Sequence, residues 1–282
     1  NDYIASILTD MPNVILRSIE KSTLTTDYSI NQIERLRNSL ELEIYPIEDF
    51  ILKVNKIIPG FNEMDINDAF LKRLGYKLDK NFIILEKELG VDEYIEKIVF
   101  NERYFQIPKE SVFSSQYIKR KLDNLENDYR LLKIEDDLFI TNNVLKDGGI
   151  TKETLINYKE EVEDYVKEGH FFTYKWLKKN GFTTTLEDYG FEDIFYESIL
   201  MRPGRLKYLR INNQKVFVKT KYEVTLNDFV KFILGEDTFI SIDEMIEKTQ
   251  QKCNLNLDYD YAIQLMKKTH YFYSQELLKL YE

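Results

Sequence analysis

Apolar residues recur at helical spacing along most of the chain, and short continuous or alternating apolar runs break that rhythm at intervals. Residues 2–21 read as a first helix, with Ile4, Ile7, Leu8, Val14, Ile15 and Ile19 on its apolar faces. Pro12 interrupts it or opens its second half. After a polar break at 22–29, Asp27 or Ser29 caps a helix over 30–41 in which Ile30, Ile33, Leu36 and Leu40 keep the period. Pro46 opens a further helix that ends at Pro59-Gly60. Asp65 or Asn67 caps the short helix DAFLKRL, and Gly75 ends it where a left-handed residue belongs.

Residues 76–85 form two short strands about an Asp-Lys-Asn turn, followed by a helix over 91–100 and a strand at RYFQI, with Pro108 as a boundary. A single helix is predicted over 111–128, burying Val112, Ser115, Ile118, Leu122 and Leu125. Residues 129–141 read as strand, acidic turn and strand. Asp147-Gly148-Gly149 is the clearest flexible punctuation and the expected main domain boundary. Beyond it, Thr151 caps a charged helix over 152–167, although Thr154 stands where a capping acid is usual. Helices follow over 171–179, ended by Gly181, and over 191–200. Strands at 206–211 and 215–220 are joined by Asn212-Asn213, a strong hairpin signal. Helices over 225–234, 241–253 and 258–268 precede a last aromatic stretch, 271–281, which is either a strand pair or one strand with a frayed end.

The predicted class is mainly α with short β-hairpins, an α+β arrangement. Four segments are expected: a helical region with a first helix–hairpin unit at 1–108, a helix and hairpin at 109–147, a unit with a basic hairpin at 148–224, and a helical unit at 225–282. With 282 residues and 43% hydrophobic content, the chain can bury cores for two or three domains. Only 10 Gly and 5 Pro leave little room for flexible linkers. One cysteine, Cys253, excludes an internal disulfide framework and favours a reducing, cytoplasmic setting. No apolar run is long enough to cross a bilayer, and no signal-peptide pattern opens the chain. A start at Asn1 rather than Met reads as a piece of a longer protein.

Three pieces echo one another: FLKRLGYKL with YIEKIVFNERYFQI, WLKKNGFTT with FYESILMRPGRLKYL, and MIEKTQQKCNLNLD with YAIQLMKKTHYFYS. Each is a helix, a break, a second helix and an aromatic strand. Short helices followed by a hairpin resemble the tandem winged-helix arrays of DNA-associated and transcription-related proteins in low-GC Gram-positive bacteria. The candidate wings are 76–85, 131–141 and 206–220, with a fourth if the C-terminus closes as a hairpin. The resemblance covers most of the chain and rests on element order. It implies a face made by a helix and its hairpin that meets a partner.

Charge singles out one such hairpin. The chain carries a net charge of -10, yet residues 201–221 hold Arg202, Arg205, Lys207, Arg210, Lys215, Lys219 and Lys221 and no acid. Strand alternation places Lys215, Lys219 and Lys221 on one side and Val216, Val218 and Thr220 on the other. Lys175, Lys178 and Lys179 on the Trp176 helix could extend that face. A basic hairpin face could follow a duplex backbone; the opposing possibility is pairing with Glu160, Glu161, Glu163 and Asp164. Lys119-Arg120-Lys121, flanked by acids, reads as helix-surface decoration, and Trp176 among Phe171, Phe172, Tyr174 and Phe182 reads as core.

Catalytic sets are poor. His170 and His270 are far apart in sequence, Cys253 has no neighbouring His, no zinc spacing or glycine-rich phosphate loop occurs, and Asp258 reads as a helix cap. The expected function is therefore a non-catalytic protein without cofactor or metal, contacting duplex DNA through the basic hairpin. The alternative is an acidic module that binds a DNA-associated protein or imitates DNA.

Overall fold

The computed structural model describes residues 28–237 and 240–269, together with the backbone of 272–274 and 279–281; the helix expected over 2–21 lies outside the described residues. The chain divides into two compact units, Asn1–Val91 and Asp92–Glu282. The class is mixed α and β, with small antiparallel sheets among helices.

The first unit runs α1 (Ile30–Ser39), β1 (Ile44–Pro46), α2 (Ile47–Asn55), α3 (Asp68–Leu74), β2 (Tyr76–Asp79) and β3 (Phe82–Leu85). Its sheet order is β1-β3-β2. Ser29 and Gln32 form a reciprocal cap on α1. Asn67 accepts from the Phe70 amide at 2.9 Å to start α3, and Gly75 ends it in the left-handed region at φ 83°. Tyr45, Phe50, Phe61, Phe70, Tyr76 and Ile83 build an aromatic core.

The same order of helix, strand, two helices and hairpin recurs twice in the second unit. The first round is α4 (Val91–Phe100), β4 (Tyr104–Gln106), α5 (Ser111–Ser114), α6 (Gln116–Asn127), β5 (Leu131–Lys133) and β6 (Leu138–Thr141), with sheet order β4-β6-β5. After α7 (Asn142–Asp147) the next round is α8 (Lys152–Tyr165), β7 (Phe171–Phe172), α9 (Tyr174–Lys179), α10 (Asp193–Leu200), β8 (Leu206–Ile211) and β9 (Gln214–Lys219), with order β7-β9-β8. A last round has α11 (Leu226–Leu234), α12 (Ile242–Cys253), α13 (Tyr259–Lys267) and the antiparallel pair β10 (Phe272–Ser274) and β11 (Lys279–Tyr281).

Several expectations change. The helix over 111–128 is broken at Ser115, whose extended backbone and hydroxyl cap α6 instead of joining the buried stripe. Phe171 and Phe172 are not helical: they pair with Val218 and Phe217, and Thr173 caps the shorter α9. Pro46 opens α2 as its N-cap, as expected, and also closes β1, but α2 ends at Asn55 rather than at Pro59-Gly60. The Gly148-Gly149 pair ends α7 rather than loosening the chain. Gly149 adopts φ 84°, and the amide of Ile150 donates to Leu145 O at 2.8 Å. One apolar core crosses that point, joining Leu132, Ile140, Leu145 and Ile150 to Leu155, Tyr158, Phe195 and Ile199. Thr154 does serve the cap of α8: its hydroxyl accepts from the Thr151 amide at 3.3 Å.

The β7-β9-β8 sheet carries apolar side chains on both faces. Phe172, Leu206 and Phe217 enter the core built by α8, α9 and α10. Phe171, Ile211, Val216 and Val218 enter a second core with Phe229, Ile233, Met245 and Leu265 of α11, α12 and α13. The expected basic side of β9 is thus corrected: Val216, Phe217 and Val218 are all buried, because a central strand packed on both faces has no solvent side. Substituting Phe217→Ala should cost about 3–5 kcal/mol, and Ile211→Ala about 2–5 kcal/mol. Both should move the same urea transition, since the two cores share one sheet. Two transitions, each moved by one substitution alone, would show that the cores fold independently.

Candidate interaction surface

The basic stretch starts as a loop, 201–205, between α10 and β8. Helix α8 holds it with a Lys-Glu pair one turn apart, so both side chains lie on one helix face. Lys159 donates to the carbonyls of Arg202 and Pro203, the latter at 3.0 Å, and stands 4.0 Å from Glu163. Glu163 in turn accepts from the Arg205 amide at 3.1 Å. The backbone of Gly204 lies directly over this pair. A Cβ there would stand 2.6 Å from Lys159 Nζ and 3.0 Å from Glu163 Oε1, so the Lys159 tip would have to shift and disturb its bonds to the loop. Burial pushes the Lys159 ammonium down to about 8; Glu163 opposes that shift, while the charges of Arg202 and Lys207 add to it.

The predicted contact residues separate into three groups. Arg202, Lys215 and Lys219 are structural. Arg202 is 4% exposed and donates to Glu126 on α6 at 3.0 Å and to Leu131 O at 3.4 Å. Its expected phosphate contact is corrected by that burial. Lys215 pairs with Glu197 of α10 at 2.8 Å, both mostly buried. Lys219 donates to Glu163 O and Val166 O, at 2.5 and 3.4 Å, and so satisfies the carbonyl end of α8. Arg205, Lys207 and Lys178 form exposed ion pairs with Asp164, Glu223 and Asp193 at 3.9, 3.1 and 3.3 Å. Arg210, Lys221, Lys175 and Lys179 are exposed and form no ion pair with a described residue.

The ten cations therefore do not converge on one open face. Sequence reasoning weighed Glu163 and Asp164 as partners but passed over Glu126, Glu197 and Glu223, which are distant in sequence from the cations they meet. The Lys159–Glu163 spacing and the Pro203-Gly204 turn were the available signals for the clamp.

Other chemistry is quiet. Burial pushes the Cys253 thiol up to about 12, which makes it unreactive at neutral pH. Asp258 caps α13, accepting from the Tyr261 amide at 2.7 Å. Trp176 packs against the core, its ring 4.7 Å from His170. On α6, Lys121 turns to Glu96 at 2.7 Å, whereas Lys119 and Arg120 face solvent. Among the described residues no His, Cys, Asp and Glu cluster could hold a metal ion, and no helix is long and apolar enough to cross a membrane. No protein-family model and no curated protein matches the chain.

Arg202→Met leaves Glu126 without its partner and should destabilise the fold by about 3 kcal/mol, at the low end for a broken buried pair because Glu126 is partly exposed. Arg210→Ala should change stability by less than about 0.5 kcal/mol. Urea titrations of both variants check the division between structural and free cations. Lys159 also makes a pH prediction. Its folded value of about 8 lies below the ordinary 10.5, so between those values the unfolded chain holds the extra proton. Stability from this group then rises with pH across that window. The urea midpoint of the wild type minus that of Lys159→Met should increase between the lower and upper ends of the window.

Proposed function

We propose that the chain is a tandem array of winged-helix units that acts in the cytoplasm by binding a protein partner, without chemistry of its own. The repeated order of helix, strand, two helices and hairpin, with its first-third-second strand order, supports the array. The observation that carries the choice of partner is the basic hairpin: its strand β9 is buried on both faces, and most of its cations are spent on acids or carbonyls of the same unit. A duplex needs phosphates neutralised by free cations. A surface of net charge -10 with its main basic stretch already satisfied suits a protein with cationic or apolar contacts better.

One surface favours a second reading, direct duplex contact. Helix α6 holds the third-helix place in its repeat, and Gln116, Lys119, Arg120, Asn124 and Asn127 are exposed on it. Amide and guanidinium groups are the side chains that read base edges in a major groove. Asp123 on the same face opposes that use.

Fluorescence anisotropy with a long duplex at low salt should show no saturable binding tighter than about 10⁻⁴ M, the weak end of non-specific affinity. Affinity purification from source cells, with nuclease treatment, should retain a stoichiometric protein. Salt-sensitive duplex binding that disappears in Lys119→Glu/Arg120→Glu would establish the second reading in place of the first.

A further inference from the structure

Strand β8 is an edge strand, since β9 lies between it and β7. The two-residue turn Asn212-Asn213, with both residues at positive φ, makes Ile211 and Gln214 a hydrogen-bonded pair. Bonded pairs then fall at every second residue, through Leu209 and Lys207 to Arg205, whose carbonyl accepts from the Thr220 amide at 2.9 Å. The amides and carbonyls of Leu206, Tyr208 and Arg210 consequently point away from the sheet. Among the described residues none of them is paired. A groove of about 350 Å³ runs beside this edge. It is lined by consecutive residues of β8 and by Met201, Pro203 and Val224, with no residue of β9.

We propose that this edge is a docking site for an extended peptide segment of a partner protein, which adds a fourth strand beside β8. The main chain of the peptide would bond to the backbone of Tyr208 and Arg210, and an apolar side chain would enter the groove. Charge selects the occupant. Arg205 and Lys207 lie along the edge with Arg210 and are held only by Asp164 and Glu223, whose side chains are 81% and 90% exposed and easily displaced. Acidic residues alternating with apolar ones in the peptide would replace those partners. A second copy of β8 is disfavoured, because edge-to-edge pairing would bring these same cations against one another. The inference rests on the protein-partner reading and names the kind of segment that partner offers.

The test uses the full chain and a fluorescein-labelled synthetic peptide of alternating valine and glutamate, with a valine–lysine peptide as control. The acidic peptide should bind, and amide exchange across 206–211 should slow about tenfold, as expected when open edge amides become bonded. Tyr208→Pro removes one outward amide at a position where an edge strand tolerates proline, and should abolish binding. Should that variant fail to fold, Lys207→Glu/Arg210→Glu leaves the backbone unchanged and should weaken binding about tenfold. Lack of binding by the acidic peptide, equal binding of both peptides, or unchanged exchange at 206–211 under saturation would overturn the proposal. A native protein partner retained equally by wild type and a folded Tyr208→Pro variant would sink the edge site while leaving the protein-partner reading intact. Duplex binding without a retained protein would sink that reading instead, and the peptide titration would still decide the edge.

Discussion

Burial of the β7-β9-β8 sheet on both faces is the constraint from which the second unit's organisation follows. A strand with a core on each side needs apolar residues at successive positions, and Val216-Phe217-Val218 supplies them. The same demand turns Phe171 toward one core and Phe172 toward the other, which requires them to be strand and not helix. The preceding hairpin repeats the device: Leu132 and Ile140, paired across β5 and β6, leave their own sheet to enter the core of the next round of helices. Each of these two hairpins is thereby a layer between successive sets of helices within the second unit, much as in solenoid arrays, where a repeat cannot bury its apolar surface alone.

That layering decides what the cations can do. Lys215 and Lys219 lie next to the start and at the end of β9, at the rim of a buried sheet, where a long side chain must find an acceptor. They find Glu197 and the carbonyl end of α8. Arg202 and Lys159 hold the loop that feeds β8 into the sheet, and the close approach at Gly204 keeps that loop against α8. A stretch with no acid in its sequence is in this way neutralised by acids from elsewhere in the fold. What stays open is the outer edge of β8, where the outward backbone groups are unsatisfied and Arg210 has no ion partner among the described residues.

Much of the local structure was legible in the sequence. The cap candidates Ser29, Asn67, Thr151 and Asp258 hydrogen-bond as their positions imply. Asn212 and Asn213 take the positive φ values that a tight hairpin needs. These features depend on a few neighbouring residues and so are written locally. Strands β1 and β7 were not legible. Each is two or three residues long and is a strand only because a partner far along the chain, β3 or β9, bonds to it. Ser115 was misplaced for a related reason: its spacing fits a buried stripe, but its hydroxyl competes for the backbone and breaks the helix.

By itself, the sequence determined most of the helices, where the hairpins turn, and that a positive stretch sits in an acidic chain. Periodicity, caps and turn residues carry that information over short distances. Only the tertiary structure decided that the positive stretch is largely spent. Whether Lys215 faces solvent or Glu197, and Arg202 phosphate or Glu126, depends on residues 18 and 76 positions away. Alternation along β9 could sort its side chains into two faces, but it could not show that both faces are covered. That follows from the packing of a second set of helices, which no local pattern in the strand records.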